Sequence, residues 1–222
     1  VSLLVICPSR GRPDKALEAY QAFVHHKCNS DTEMVFVLDD DDPTVSEYSV
    51  PNIVIPAGSN GMGAALNLGA AQFVDSYDTL GFIGDDHRFR TACWDTHIAA
   101  TLEREGGGIA YGNDLLQGIN LPTQVFISSS IVKTLGWMCL PGAKHLYLDN
   151  TWKVLGESLD RLYYLPEIII EHLHPTGGKA TWDENYQRVN APEVYEHDSK
   201  VFAAWTNGSA VDDIERVRRV LA

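Results

Sequence analysis

The sequence is poor in cysteine, in basic residues and in long apolar runs. Its four cysteines, Cys7, Cys28, Cys93 and Cys139, fall at no spacing used by metal clips or redox pairs, so they read as buried free thiols of a reducing cytoplasm. Lys and Arg total 17 against 30 Asp and Glu, a formal net charge of −13 over 222 residues. That balance excludes bulk attraction to nucleic acid or anionic lipid and leaves room only for a local basic groove. No stretch is apolar over the ~20 residues a membrane-spanning helix needs, so no integral membrane association is expected. The opening run Val1–Ile6 has neither the basic start nor the cleavage site of a leader and leads straight into a turn, so it reads as a strand. Repeats, low-complexity tracts and linkers are also missing, which leaves a single cytoplasmic domain over 1–222. Asn207-Gly208-Ser209 fits a glycosylation acceptor, a chance match without a secretory leader.

What is present is an alternation of short apolar runs with helical periodicity. Val1–Cys7, Met34–Leu38, Asn52–Ile55 and Leu80–Ile83 read as strands. Pro13 opens a helix with Ala16, Leu17, Tyr20, Phe23 and Val24 at helical spacing. Asn60–Val74 and Thr91–Glu105 predict two more helices, the second closed by Gly106-Gly107-Gly108. Strand–helix alternation to about residue 110 predicts an α/β fold with a mainly parallel, doubly wound sheet. The C-terminal part is expected to be mixed. It holds a strand at Gln124–Ile127, a short helix from Ser128 to Gly136, a loop from Trp137 to His145 and a helix at Leu146–Gly156. A strand at Leu162–Glu171 is interrupted by Pro166, hence near an edge. The last helix places Val211, Ile214, Val217 and Leu221 on one face, with Asp212 and Asp213 first and Arg216, Arg218 and Arg219 last.

Two of these strands end in acids. Asp39-Asp40-Asp41-Asp42 follows Phe36-Val37-Leu38, and Gly84-Asp85-Asp86-His87 follows Leu80–Ile83. Adjacent carboxylates raise one another's pKa unless a cation neutralises them, and open parallel sheets bind ligands beyond the C-terminal ends of their strands. The recurrence points to a site for a divalent metal and a nucleotide, although either cluster alone also suits helix caps and solvated turns. Arg10, Arg12, Arg88 and Arg90 lie beside these ends, placed either to bind phosphate or to pair with the aspartates.

The run Val5-Ile6-Cys7-Pro8-Ser9-Arg10-Gly11-Arg12-Pro13, the two acidic strand ends, and Asn60-Gly61-Met62-Gly63 before Asn67-Leu68-Gly69 together resemble the A-type fold of nucleotide-sugar glycosyltransferases, family 2 and its relatives in particular. The resemblance covers residues 1–90 closely and 120–175 more loosely. It implies a nucleotide-binding half, 1–110, and an acceptor-binding half, 111–222. Pro8, Ser9, Arg10 and Arg12 would meet the nucleotide, Asp39 or Asp40 its base, and Asn60, Gly61 and Asn67 would lie beside it. Asp86 would be the first metal ligand, with Asp85 supporting it or touching the ribose or donor sugar. One departure is Asp-Asp-His in place of the usual Asp-any-Asp.

The implied donor is a nucleotide sugar, UDP-linked, with Mn²⁺ or Mg²⁺ as cofactor, since a hard cation stabilises a departing diphosphate. Asp149, in Tyr147-Leu148-Asp149-Asn150, falls where inverting members of the resembled group hold their base; it also suits a helix cap. Asn150 would touch the acceptor. At the end of Ile168–Glu171 two histidines follow on one side of the strand: His174 is the expected second metal ligand and His172 its substitute. Lys179, after Gly177-Gly178, could close over a diphosphate. Trp137, Trp152, Trp182 and Tyr147 offer either stacking faces or core packing, and Asp114 a contact to the donor sugar. A retaining transferase, a sugar-1-phosphate nucleotidyltransferase and a non-catalytic nucleotide-sugar module are the competing readings. Acceptor and oligomeric state stay open.

Overall fold

Strand β1 (Leu3–Pro8) runs through the N-terminal half, and its side chains alternate between two buried layers. Leu4 and Ile6 join one apolar cluster, Leu3, Val5 and Cys7 the other. A strand covered on both faces needs an unbroken apolar run, which is what the sequence supplies. The computed structural model describes residues 1–56 and 61–221.

After β1 come α1 (Pro13–His26), β2 (Thr32–Asp39), β3 (Asn52–Ile55), α2 (Met62–Phe73), β4 (Thr79–Phe82), β5 (His87–Phe89) and α3 (Trp94–Arg104). The second half contains β6 (Ile109–Asn113), β7 (Val125–Ser128), α4 (Ser129–Leu135), α5 (Leu148–Ser158), β8 (Leu162–His172), α6 (Glu184–Val189), α7 (Pro192–Asn207) and α8 (Ala210–Leu221). One eight-stranded sheet runs through both halves in the order β3-β2-β1-β4-β7-β6-β8-β5. The first four are parallel, β7 is antiparallel to β4 and β6, β8 is parallel to β6, and β5 closes the edge antiparallel to β8. The α/β class, the doubly wound first half and the mixed second half are as expected. Among the described residues no helix is long and apolar enough to cross a membrane.

Four local outcomes differ from the sequence reading. Strand β8 is not an edge strand: β5 pairs outside it, and the exposed Pro166 sits where the β6–β8 register jumps, from Gly112↔Leu165 to Asn113↔Ile169. A bulge, rather than the sheet edge, accommodates the missing N–H. The strands β5 and β6 are too short to show a period. Helices α6 and α7 carry few buried apolar residues, so no apolar stripe announces them. Cys28 and Cys93 form a disulfide, which corrects the expectation of four free thiols; Cys7 and Cys139 are free and buried. The bonded pair is 65 residues apart in sequence, and it meets only because the end of α1 packs on the start of α3. There Cys93 N–H donates to His26 O at 2.7 Å, and Asp95 accepts from the N–H groups of Cys28 and Asn29. The thiol premise for a reducing compartment falls with it.

Titration of the unfolded chain should therefore count two thiols without reductant and four with it. In the chain-entropy account, closing a loop of this length stabilises by about 4 kcal/mol, so the Cys28→Ser, Cys93→Ser double variant should melt several degrees lower. Four reactive thiols before reduction would refute the pairing.

Candidate active site

The strand ends of β1, β2 and β4, the β8 terminus and the C-terminal segment surround a cleft of about 730 Å³. At its floor Asp85 and Asp86 are both buried, 5% and 8% exposed. They follow Gly84, where a Cβ would lie 2.6 Å from Asp86 Oδ1 and push that carboxylate aside. The two carboxylates are stabilised in different ways. Asp85 Oδ2 accepts from Ser9 Oγ (2.7 Å) and Oδ1 from Arg12 Nη1 (3.2 Å). Because Ser9 donates its proton to Asp85, Tyr48 must donate to Ser9 Oγ (3.0 Å), and the phenol oxygen accepts from Arg12 N–H (3.0 Å). Burial and the Asp86 charge nevertheless raise the Asp85 pKa.

Asp86 meets imidazoles and a phenol. His172 Nε2 is 3.3 Å from Oδ2, His87 Nδ1 3.2 Å from Oδ1, and Tyr186 donates its O–H to Oδ2 at 2.8 Å. Burial pushes the Asp86 pKa up, but His172 and His87 outweigh it and hold the carboxyl well below the ordinary range. Burial, then His172, lowers the pKa of His87 and keeps it neutral. The β5–β8 ladder pairs His87 with His172, so their rings stack with centroids 4.1 Å apart. His87 Nδ1 also lies 3.1 Å from Gly84 N–H. Protonated, Nδ1 donates to Asp86; unprotonated, it accepts from Gly84 and leaves two acceptors facing each other, the arrangement a cation resolves.

Ligand atoms of Asp86, His87 and His172 lie within 4.8 Å of one another. One carboxylate with two imidazoles suits a transition-metal dication such as manganese better than magnesium. Among the described residues His87 Nε2 and His172 Nδ1 are buried without a hydrogen-bond partner, Nδ1 lying 3.9 Å from Asp114 Oδ2, and Arg12 Nε is likewise a donor left over for an anion.

The expected residues divide. Pro8, Ser9, Arg10, Arg12, Asp39, Gly61, Asp85, Asp86, Asp149, His172 and His174 all line the cleft. Asn60 lies outside the described residues. Asn67 is turned away: its Oδ1 accepts from the N–H groups of Met138 and Cys139, and its Nδ2 donates to Cys139 O. Asp40 is exposed beyond the cleft wall. In the same run Asp39 and Asp41 pair with Arg10, while Asp42 accepts from Gly11 N–H and pins the β1–α1 turn. Arg88 is spent on the carbonyls of Asp85 and His87 and on Glu18, and Arg90 on Glu171. Lys179 pairs with Glu171 at 2.8 Å. Asp114 accepts from the N–H groups of Leu116, Gln117 and Gly118, a loop lock rather than a sugar contact.

His174 is in the cleft but outside the three-residue cluster. Strand β8 stops at His172, the alternation that would put both rings together stops with it, and His174 Nδ1 turns to Thr176. Asp149 is not the cap of α5; Tyr147 is, in a left-handed conformation (φ 62°). Burial raises the Asp149 pKa, as suits a base. Trp152 is core, its Nε1 bonded to Met138 O, whereas Trp182 is half exposed beside His174.

Sequence reasoning missed α6. Arg12 Nη2 binds both oxygens of Asp183 (2.6 and 2.8 Å), Asp183 caps the helix at Tyr186 N–H, and the Arg12 guanidinium lies 4.1 Å from the Tyr186 ring centre. Asp183 before Glu184 was the available signal, a cap followed by an acidic first turn.

No family model matches the sequence, and no curated protein matches it. Solved structures do. S. aureus TarS superposes with a TM-score of 0.61 at 14% identity, over 94% of this chain and 43% of TarS, so the chain spans less than half of that protein. The mannosyltransferase PcManGT from Pyrobaculum calidifontis, in complex with GDP-Man and Mn²⁺, gives 0.60 at 9% identity over 93% of this chain and 75% of its own. Glucosyl-3-phosphoglycerate synthase from Mycobacterium tuberculosis, in complex with Mn²⁺, UDP-Glc and phosphoglyceric acid, gives 0.61 at 12% identity over 91% and 80%. The chain thus has the A-type fold of the nucleotide-sugar glycosyltransferases, the fold anticipated from Pro8–Pro13 and the two acidic strand ends.

Tyr186 occupies an oxygen that a cation on Asp86 would use. Losing that charge-assisted hydrogen bond in Tyr186→Phe should tighten Mn²⁺ binding by about tenfold in calorimetry. Unchanged or weaker binding would show that the phenol does not compete.

Proposed function

We propose that the protein is a metal-dependent, inverting glycosyltransferase that takes a sugar from a UDP-linked donor, acting as one domain over 1–222. One observation carries this reading: a single cleft at the strand ends joins the Asp86, His87, His172 cluster, the partly unpartnered Arg12 and the Asp149 carboxylate. The neighbours of known structure in complex with UDP-Glc or GDP-Man and Mn²⁺ support the donor class.

Asp86, His87 and His172 would hold the dication, with His174 next to them. A dication held by these residues would supply the positive charge that a departing diphosphate needs. Arg12 and Arg10 add positive charge on the same side, once Asp183 and Asp41 release them. Asp39 reaches the base and Asp85 the ribose or donor sugar. Asp149 accepts the proton of the acceptor hydroxyl as its oxygen bonds to the anomeric carbon. The carbon–phosphate-oxygen bond breaks, and its electron pair leaves with the diphosphate. A base raised by burial is protonated at a higher pH than an ordinary carboxylate, so activity falls as pH drops through that raised pKa.

Thermal stabilisation by nucleotide sugars with and without Mn²⁺ identifies the donor. Asp86→Ala should abolish Mn²⁺-dependent UDP binding; unchanged affinity would remove the metal assignment. Asp149→Asn should keep UDP binding, lose the acid limb of the pH profile and lower kcat by roughly 10²- to 10⁴-fold. Retention at the anomeric carbon, read by NMR of the product, would end the role of Asp149 as base.

A further inference from the structure

Asp198 is fully buried (0% exposed) on a helix, α7, whose only other buried residue is Trp205. Among the described residues no lysine or arginine pairs with it. Its Oδ1 accepts from Lys144 N–H (3.0 Å), and its Oδ2 from His145 N–H (2.9 Å) and Leu146 N–H (2.8 Å). The exposed His197 adds a contact from Nδ1 at 2.8 Å. Burial pushes the Asp198 pKa up, but these donors more than offset it and keep the carboxyl ionised.

The three amides belong to a loop that forms one wall of the cleft through Lys144, His145 and Tyr147 and leads into Asp149. The other side of that loop is fixed too. Gly63 N–H donates to Lys144 O at 3.0 Å, and a Cβ on Gly63 would lie 2.4 Å from Ala143 O. The backbone is therefore held between the first turn of α2 and the carboxylate of α7. Phe202, one turn beyond Asp198 on the same face, stacks on Tyr147 with ring centres 5.5 Å apart, supporting the left-handed residue that starts α5. Val194, one turn before, lines the cleft itself.

We infer that Asp198 is a positioning residue: it fixes the 144–146 backbone so that His145 and Asp149 are presented to the acceptor side of the cleft. The inference rests on the reading of Asp149 as base. Both carboxylate oxygens are required, because an asparagine has one acceptor and would turn its NH₂ toward an N–H. His145 bears no side-chain hydrogen bond among the described residues, and burial lowers its pKa to about 4, so a neutral imidazole faces the substrate space.

Asp95 provides an internal control. It too accepts backbone N–H groups, from Cys28 and Asn29, but at a loop remote from the cleft. The test combines amide exchange with kinetics on the full chain. In the wild type the amides of Lys144, His145 and Leu146 should exchange slowly although they lie in a loop; fast exchange there overturns the proposal without any variant. Asp198→Asn should speed exchange at those three amides, keep UDP–Mn²⁺ affinity in calorimetry, and lower kcat for donor turnover by roughly 10- to 100-fold. Asp95→Asn should lower the Tm with kcat intact. Unchanged kcat in Asp198→Asn, or parallel loss of UDP affinity with faster exchange across α2 and β1, would reduce Asp198 to general stability. A wild type that binds no nucleotide would refute the glycosyltransferase reading, while the exchange pattern would still decide the clamp.

Discussion

Burying two adjacent carboxylates at one strand end is the constraint on which the site is built. Each charge placed in the interior must find compensation, and like charges beside each other double the demand. The protein meets it asymmetrically: Asp85 receives a serine hydroxyl and a guanidinium, Asp86 two imidazoles and a phenol. The pKa values move apart accordingly, Asp85 upward and Asp86 downward. None of these partners is close in sequence except His87. They come from the β1 turn, from the end of β8 and from α6, so the acid pair acts as a knot tying the two halves together.

That compensation also defines the conformational problem of ligand binding. Arg12 is held by Asp85 and Asp183 and covered by the Tyr186 ring. On the proposed function, a diphosphate and a cation entering the cleft would exchange protein contacts for ligand contacts, which would make affinity a difference between two well-satisfied states. The α6 segment is short, and its buried Tyr186 ties it to the site through Asp86 and through the rings of His174 and Trp182. On the opposite wall, Asp198 and the α2 glycines fix the 143–146 backbone from two sides.

The first ninety residues were readable because local rules and global fold agree there. The apolar runs of β1, β2 and β4 are buried on both faces, Pro13 starts α1, and the acids at the strand ends fall where parallel sheets place ligands. Within the four-aspartate run the rules stop helping: Asp39 and Asp41 face Arg10, Asp40 faces solvent and Asp42 pins a turn. All four share the same side-chain chemistry, and only the path of the turn separates them. Asn67 is the converse case, a polar helix residue drawn to a loop that reaches it from 71 and 72 positions away.

The sequence by itself determined the α/β architecture, the place of the acid pair and the chemistry available at it, because periodicity and strand-end position are local properties. The tertiary structure decided which groups complete the site. His87 and His172 meet through antiparallel register, Cys28 and Cys93 through helix packing, and Tyr186 and Asp198 through helices without an apolar stripe. Each of those pairings depends on where the chain returns in space, and no spacing along the sequence encodes that return.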